Sequence, residues 1–339
     1  MMRTQTQPIA GSRLKLTILG TGAWGTALAV HFALHHEVIL WSRDAKQVDA
    51  LRTERVNQRY LPTITLPAPL QLTNELEHAV KQADLILVAT PTTALRPLLS
   101  SIAPWLGMTP LLWLCKGFES GSMQLPHQIA SEVLPPNSLY GVLSGPSFAI
   151  EVARGLPTAL TLASQHSAAL NMATALHHQH LRVYTSHDVV GVEIGGALKN
   201  VIAIATGISD GLALGHNARA ALISRGLAEI SRLGLALGGQ TETFMGLTGM
   251  GDLILTATSD QSRNRQVGLK LAQGMSLDTI LQQLGHIAEG VNTAREVTKL
   301  AQQYNVDMPI AFAVDQVLHH GLAPTTAVES LLNREARAE

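Results

Sequence analysis

The sequence predicts an α/β chain in two parts, a Rossmann-like dinucleotide-binding domain at the amino end and an all-helical domain after it. Three observations carry this. Leu14 to Leu34, LKLTILGTGAWGTALAVHFAL, sets a short apolar run before the spacing G-x-G-x-x-G at Gly20, Gly22 and Gly25, with a small-residue helical run behind it. Continuous apolar runs closed by turn residues recur at Asp84 to Ala89, Leu111 to Cys115 and Leu139 to Leu143. From Val189 onward such runs stop and only helical periodicity remains. Strands buried on both faces and alternating with helices make a parallel sheet, whereas helices alone pack as a layer of their own, so the change of pattern marks a boundary near residue 190. Residues 1–13 then form a disordered lead-in, 14–190 the dinucleotide-binding domain and 191–332 the helical substrate and catalytic domain.

The first strand, Leu16 to Leu19, ends at Gly20, which permits a tight turn. Gly22 lets backbone approach a pyrophosphate, Gly25 lets the helix lie close to the strand, and the N-terminus of the helix, opening at Thr26, attracts the anion. A second strand, Glu37 to Trp41, is followed by Ser42, Arg43 and Asp44. An acidic residue there suits the ribose hydroxyl of NAD and an Arg the 2′-phosphate of NADP; Arg43 comes first, which favours NADPH, the alternative being two solvated turn charges. Pro62, Pro67 and Pro69 mark a non-helical connection to a short strand, Leu70 to Leu72, and a helix from Asn74 to Lys81.

Asp84 to Ala89 reads as a central strand closed by Thr90-Pro91. The next two runs end at Lys116-Gly117 and at Ser144-Gly145-Pro146. Ligands of open α/β sheets sit beyond the carboxyl ends of the strands, so these ends line one cleft. Lys116 is there either a cation facing a phosphate or carbonyl, or a surface lysine beside a turn.

Helices are expected over Val189 to Gly207, Ala218 to Leu233, Ser262 to Gln273, Leu277 to Leu284, Thr293 to Tyr304 and Phe312 to His320. Lys199 is the only charge between Ile194 and Ile208. It is either a buried proton donor and acceptor with a lowered pKa, or a side chain that reaches solvent along an unseen face. Asp252 lies in the Gly-rich turn of LTGMGDLIL. Ser262-Arg263-Asn264 opens a helix whose cap, free N–H groups and polar side chains suit a phosphate, although simple capping would use the same residues.

The 24 Lys and Arg balance 25 Asp and Glu at a net charge of -1, which leaves no nucleic-acid footprint and points to small-molecule partners. The single cysteine, Cys115, excludes an intramolecular disulfide and suits a reducing compartment; with no secretory apolar core in MMRTQTQPIAGSR, the expected location is the cytoplasm. Ile194 to Ile208 is too short and too polar for a membrane span and reads as a buried helix. His177, His178 and His180, His35 with His36, and His319 with His320 lack partners at metal-ligand spacing and read as solvated, so no metal is expected. Cys115 reads as a packing residue at a strand end. The apolar helices allow a homodimer, but no stripe identifies an interface.

GTGAWGTALA, the Lys116-Gly117 strand end, LSGPSFAIEVARGLPTA, GGALKNVIAIATGISDGL, LTGMGDLILTATSDQSRNRQVG and IAEGV, in this order, resemble the NAD(P)-dependent glycerol-3-phosphate dehydrogenases of bacterial type, from about Leu14 to Leu332. The resemblance implies reversible reduction of dihydroxyacetone phosphate to sn-glycerol 3-phosphate, the glycerophospholipid precursor, with NADPH or NADH. It implies Lys199 as catalytic proton donor and acceptor. Lys116, Gly145, Ser147, Asp252, Ser262, Arg263 and Asn264 would contact substrate, with Lys116 and Arg263 also near the cofactor. Trp24, Arg43, Ala149, Ile287 and Glu289 would join Gly20, Gly22 and Gly25 in the dinucleotide site. Ala23 and Ile150 depart from the Ser and Lys common in the family, removing one hydroxyl and one positive charge. A related hydroxy-acid or hydroxyacyl dehydrogenase would require a His-Glu pair for the thioester case, and a non-catalytic dinucleotide sensor would have no use for Lys199 beside a phosphate site.

Overall fold

The computed structural model describes residues 13–285 and 288–335. The lead-in expected over residues 1–13 therefore lies, but for Arg13, outside the described residues. The described residues fall into two compact units, one running to Cys115 and taking in Pro126–Val189, the other made of Lys116–Leu125 and the described residues from Val190 onward. Lys116 and Gly117, which follow a strand of the first unit, thus belong by their contacts to the second.

The first unit is built on a sheet with strands β1 (Lys15–Leu19), β2 (Glu37–Trp41), β5 (Gln71–Thr73), β6 (Leu85–Val88), β7 (Leu111–Trp113), β8 (Tyr140–Ser144), β9 (Thr158–Ala163) and β10 (Leu181–Ser186); β3 (Val56–Asn57) and β4 (Leu61–Thr65) form a separate antiparallel pair. The order is β10-β9-β8-β7-β6-β1-β2-β5. From β5 to β8 every pairing is parallel, and the chain reverses direction across the sheet between β1 and β6. That is the doubly wound arrangement whose switch point sits beside the Gly-rich turn. The interior strands are buried along nearly their whole length, β6 at all four residues, which is why they read as unbroken apolar runs.

The structure adds elements that the sequence pattern conceals. β9 pairs antiparallel with β8 and β10 parallel with β9. Their sequences, TALTLA and LRVYTS, mix polar with apolar residues because β9 is only half-buried at Ala159 and Thr161 and β10 is exposed at Arg182, Tyr184 and Thr185, so neither makes a continuous run. The Pro62 connection is the β3–β4 pair, with Pro62 in a short two-stranded ribbon where it disturbs no central strand. The first helix spans Ala23–Phe32, opening three residues earlier than Thr26, because Gly22 already has the extended conformation of a cap.

The histidines expected to be solvated are in part a packed group. His36 is buried, as is His31 beside it, and His35 stacks on His178 with ring centroids 4.1 Å apart. His36 Nδ1 accepts from the Leu14 N–H at 3.3 Å, while its Nε2 lies 3.0 Å from the Ala175 carbonyl and 3.1 Å from His178 Nε2. Burial, first of all, pushes His31 and His178 down to about 4, so these rings are neutral packing groups at neutral pH.

In the second unit the helices Val189–Gly211, Gly215–Ala236, Asp252–Thr258, Arg263–Ala272, Leu277–Leu284, Glu289–Gln303, Pro309–His319 and Pro324–Leu332 enclose a core that includes Leu198, Ile202, Ile230, Phe244, Leu253, Val267 and Val297. Val189–Gly211 has the length and composition of a membrane span, which overturns the argument that it is too short; 94% of its most apolar window is buried inside the protein, as in the core helix of a packed domain. Its neighbour Leu247–Gly251 is a π-helical turn, so Asp252 starts a helix where the sequence suggested a Gly-rich turn. The Cβ that any other residue would add at Gly195 would lie 2.5 Å from the Thr248 carbonyl oxygen, which shows how closely the long helix meets this turn.

Candidate active site

In the first unit, the glycine fingerprint is shaped by backbone crowding. Gly20 has φ +121°, and its N–H donates to the Trp41 carbonyl at 3.0 Å. A Cβ at Gly25 would fall 2.0 Å from the Gly20 carbonyl oxygen, whereas one at Gly22 would meet nothing within 4 Å. Gly22 thus presents an open face at the start of the Ala23–Phe32 helix, whose first N–H groups receive no side-chain cap. That combination fits an anionic dinucleotide bridge: open backbone, unshared donors and the positive end of a helix dipole.

Two residues that the sequence did not single out hold this turn. Gln47 Oε1 accepts from Thr21 Oγ1 at 2.8 Å and Ser42 Oγ at 3.0 Å, and Asn57 Nδ2 donates to the Thr21 carbonyl at 2.9 Å and Thr26 Oγ1 at 2.8 Å. Gln47 and Asn57 had no motif to announce them, since one lies on a polar helix and the other in a two-residue strand. Arg43 is exposed, while Asp44 accepts from the Lys46 and Gln47 N–H groups and caps the helix Ala45–Glu54. Trp24, Ala149 and Ile150, together with Ala23, pack against the first unit's apolar core. At the end of β8, Gly145 has φ +142° and Ser147 Oγ donates to the Gly145 carbonyl at 3.1 Å.

The second unit brings Lys116, Lys199 and Asp252 together. Asp252, 1% exposed, receives the Lys116 ammonium on Oδ2 at 2.6 Å and the Lys199 ammonium on Oδ1. Thr256, one turn beyond Asp252, donates its hydroxyl to the Asp252 carbonyl at 2.6 Å and so turns a lone pair to Lys199 Nζ at 2.9 Å. Lys199 does not reach solvent along a free face. Burial, opposed by Asp252 and helped by Lys116, lowers it to about 8. Glu289 stands near Lys116, Arg263 and Lys199; burial raises its carboxyl above the usual range against the pull of those three cations.

At the opening of the Arg263–Ala272 helix, Ser262 is buried and its Oγ accepts from the Arg265 N–H at 3.3 Å. Arg263 is exposed. Asn264 is held on both sides of its amide, Nδ2 donating to Asn200 Oδ1 at 2.9 Å and Oδ1 accepting from the Gly290 N–H at 3.0 Å. Asn200 and Thr256 are the residues that the sequence reading missed here. Their signals were present, a second polar residue beside Lys199 and an i, i+4 partner of Asp252, but neither decides which neighbour it meets. Ile287 lies outside the described residues. Chemically, the group offers an ammonium poised to give and recover a proton near neutral pH, a second cation beside it, and a capped helix start with an exposed Arg.

Two family models match the chain: the NAD-dependent glycerol-3-phosphate dehydrogenase N-terminus over residues 15–170 and the corresponding C-terminus over residues 188–329. The chain is 58% identical to the glycerol-3-phosphate dehydrogenase (NAD(P)+) of Thiobacillus denitrificans, over 96% of this chain and 100% of that protein. It is 57% identical to the enzyme of the same name from Methylibium petroleiphilum, over 96% of this chain and 98% of the other. Among solved structures, it is similar to glycerol-3-phosphate dehydrogenase from Coxiella burnetii, with a TM-score of 0.90 at 42% identity, covering 95% of this chain and 99% of that one.

Proposed function

Because this chain belongs to the NAD-dependent glycerol-3-phosphate dehydrogenase family, we propose that it reversibly reduces dihydroxyacetone phosphate to sn-glycerol 3-phosphate in the cytoplasm, with Lys199 moving the proton. The observation that carries this reading is the buried carboxylate of Asp252 shared by two ammonium groups. Reduction of a ketone builds negative charge on its oxygen, and a desolvated ammonium beside that oxygen stabilises the charge and then donates. With its pKa lowered to about 8, Lys199 is mostly protonated at neutral pH yet gives up its proton more readily than an ordinary lysine. Asp252 and Thr256 orient the Lys199 ammonium, and Lys116 adds positive charge beside it.

The nicotinamide dinucleotide supplies the hydride when bound. Gly20, Gly22 and Gly25 would hold its pyrophosphate, and Trp24, Ala149, Ile287 and Glu289 would complete its site. Ser262 and Asn264 shape the helix start that, with Arg263, would bind the substrate phosphate, and the family resemblance gives Gly145 and Ser147 a substrate contact as well. The test is a reduction assay followed at the nicotinamide absorbance band. Arg263→Ala should raise the KM for dihydroxyacetone phosphate and lower turnover too, since binding energy at the phosphate orients the distant ketone; unphosphorylated dihydroxyacetone should be a poor substrate. Wild-type protein that reduces both compounds equally well would reduce the Ser262 helix start to a simple cap.

NADPH is the favoured cofactor in this reading. Both charges at the end of β2 are exposed, but Asp44 is engaged as a helix cap. Arg43→Ala should weaken NADPH binding by about 1.5 to 3 kcal/mol, the range for a hydrogen bond to a charged group, and leave NADH binding unchanged. Cofactor titration by fluorescence measures both; equal losses would remove Arg43 from the 2′-phosphate.

A further inference from the structure

Two arginines follow Ser262, and they face different surroundings. Arg263 is exposed, but the Arg265 side chain is 8% exposed and each of its three nitrogens meets a carboxylate. Nε and Nη2 reach Asp210 Oδ2 at 2.8 and 2.7 Å, and Nη1 reaches Asp260 Oδ1 at 2.7 Å. Arg219 Nε binds the other Asp210 oxygen at 2.7 Å. Asp210 lies at the end of the helix that carries Lys199, and Asp260 lies in the loop leading to the Ser262 cap. None of these four groups touches the Lys199–Asp252–Lys116 cluster through a bond described above.

The two helices meet backbone to backbone. A Cβ at Gly268 would fall 2.1 Å from the Ile204 carbonyl oxygen, and one at Gly207 2.1 Å from the Arg265 carbonyl oxygen. The side chains that flank this contact, Ile204 and Ile208 on one helix and Val267 and Leu271 on the other, are apolar and give it no directional bond. Rotation is resisted from the first turn of the Arg263–Ala272 helix, which straddles its neighbour: Asn264 reaches Asn200 and Arg265 reaches Asp210. Those anchors are about 15 Å apart along the Lys199 helix, at 1.5 Å of rise per residue. A pivot with one anchor swings; with two anchors so far apart it does not.

We propose that the Asp210–Arg265 pair, buttressed by Arg219 and Asp260, is a brace that sets the Ser262–Arg263 helix start at working distance from Lys199 and so couples phosphate binding to proton transfer. This rests on the reading that the helix start binds the substrate phosphate. Arg265 is a positioning residue, since each nitrogen of its guanidinium meets a carboxylate of the protein.

Arg265→Lys keeps the charge but loses the fork that spans two carboxylates, and Asp210→Asn keeps the shape but loses the charge. For each, kcat/KM for dihydroxyacetone phosphate should fall about tenfold to a hundredfold, the cost of a misplacement on the order of 1 Å, with KM raised and kcat lowered together. Rates with unphosphorylated dihydroxyacetone should stay within about twofold, because without the phosphate the brace positions nothing. Asp260 is 91% exposed, so Asp260→Asn leaves the fold intact and should show the same pattern at about twofold to fivefold, the scale of a surface ion pair. A purely structural role predicts a smaller active fraction instead, with kcat lower by one factor for both substrates and KM unchanged; that result, or wild-type kinetics in Asp260→Asn and Arg265→Lys, overturns the brace. Wild-type protein indifferent to the phosphate ester would overturn the phosphate reading itself, which the wild-type assay alone reveals.

Discussion

Lys199→Met should lower turnover of dihydroxyacetone phosphate by about a hundredfold to ten-thousandfold, the usual contribution of a general acid, while the protein stays folded. Met retains an unbranched, apolar stem and fills most of the same space in the Val189–Gly211 helix, so packing around Leu198 and Ile202 should survive. Removal of the ammonium takes away both the proton and the charge that opposes the developing alkoxide. The wild-type pH profile supplies the sign. Reduction needs protonated Lys199, so its rate should fall as pH rises through about 8; oxidation of glycerol 3-phosphate needs the neutral amine, so its rate should rise over the same interval. Turnover of the variant within about tenfold of wild type would mean that the proton comes from elsewhere, with Lys116 the next group to replace.

Asp252→Asn should be nearly as damaging, for a different reason. The carboxylate is the one influence that raises the Lys199 pKa against burial and Lys116. Its loss leaves two ammonium groups facing a neutral amide, so the Lys199 pKa should drop by a further 1 to 3 units, the range for losing an adjacent opposite charge. At neutral pH half or more of the lysine would then be deprotonated and ketone reduction should fall, with the alkaline limb of the profile moved to lower pH. Oxidation should be spared at neutral pH by comparison. A pH series in both directions, with circular dichroism to confirm folding, makes the measurement; an unmoved alkaline limb would remove Asp252 from control of Lys199.

The parts legible in the sequence were those whose physics is local. Gly20, Gly22 and Gly25 declare a turn because spacing along the chain determines it, and β6 and β7 declare themselves because burial on both faces leaves an apolar run. Lys199 was conspicuous as a lone charge in an apolar helix, yet its two possible fates could not be separated until Asp252, 53 residues away, was seen to receive it. Asn200, Thr256, Gln47 and Asn57 stayed hidden because their roles are set by partners brought near only by folding. β9 and β10 were lost for the opposite reason, since the strands at this end of the sheet are only partly buried and keep polar residues that erase the run. The histidines were misjudged because a polar sequence neighbourhood does not reveal that His36 faces Leu14 and Ala175.

The glycines at the crowded contacts carry a consequence for how such a chain can vary. Every change in a glycine codon that alters the amino acid adds at least one carbon, so no smaller step exists than a Cβ. At Gly25, Gly207 and Gly268 that first carbon lands about 2 Å from a carbonyl oxygen, on backbone that no rotamer change can clear. These positions therefore have no neutral neighbours in the genetic code. An inherited substitution there requires a second, compensating shift of a whole helix. The surrounding apolar side chains, by contrast, can exchange one methyl group at a time. Drift among distant copies of this gene is thus channelled around fixed points at which main chain rests on main chain, and at Gly207 and Gly268 the constraint comes from packing alone.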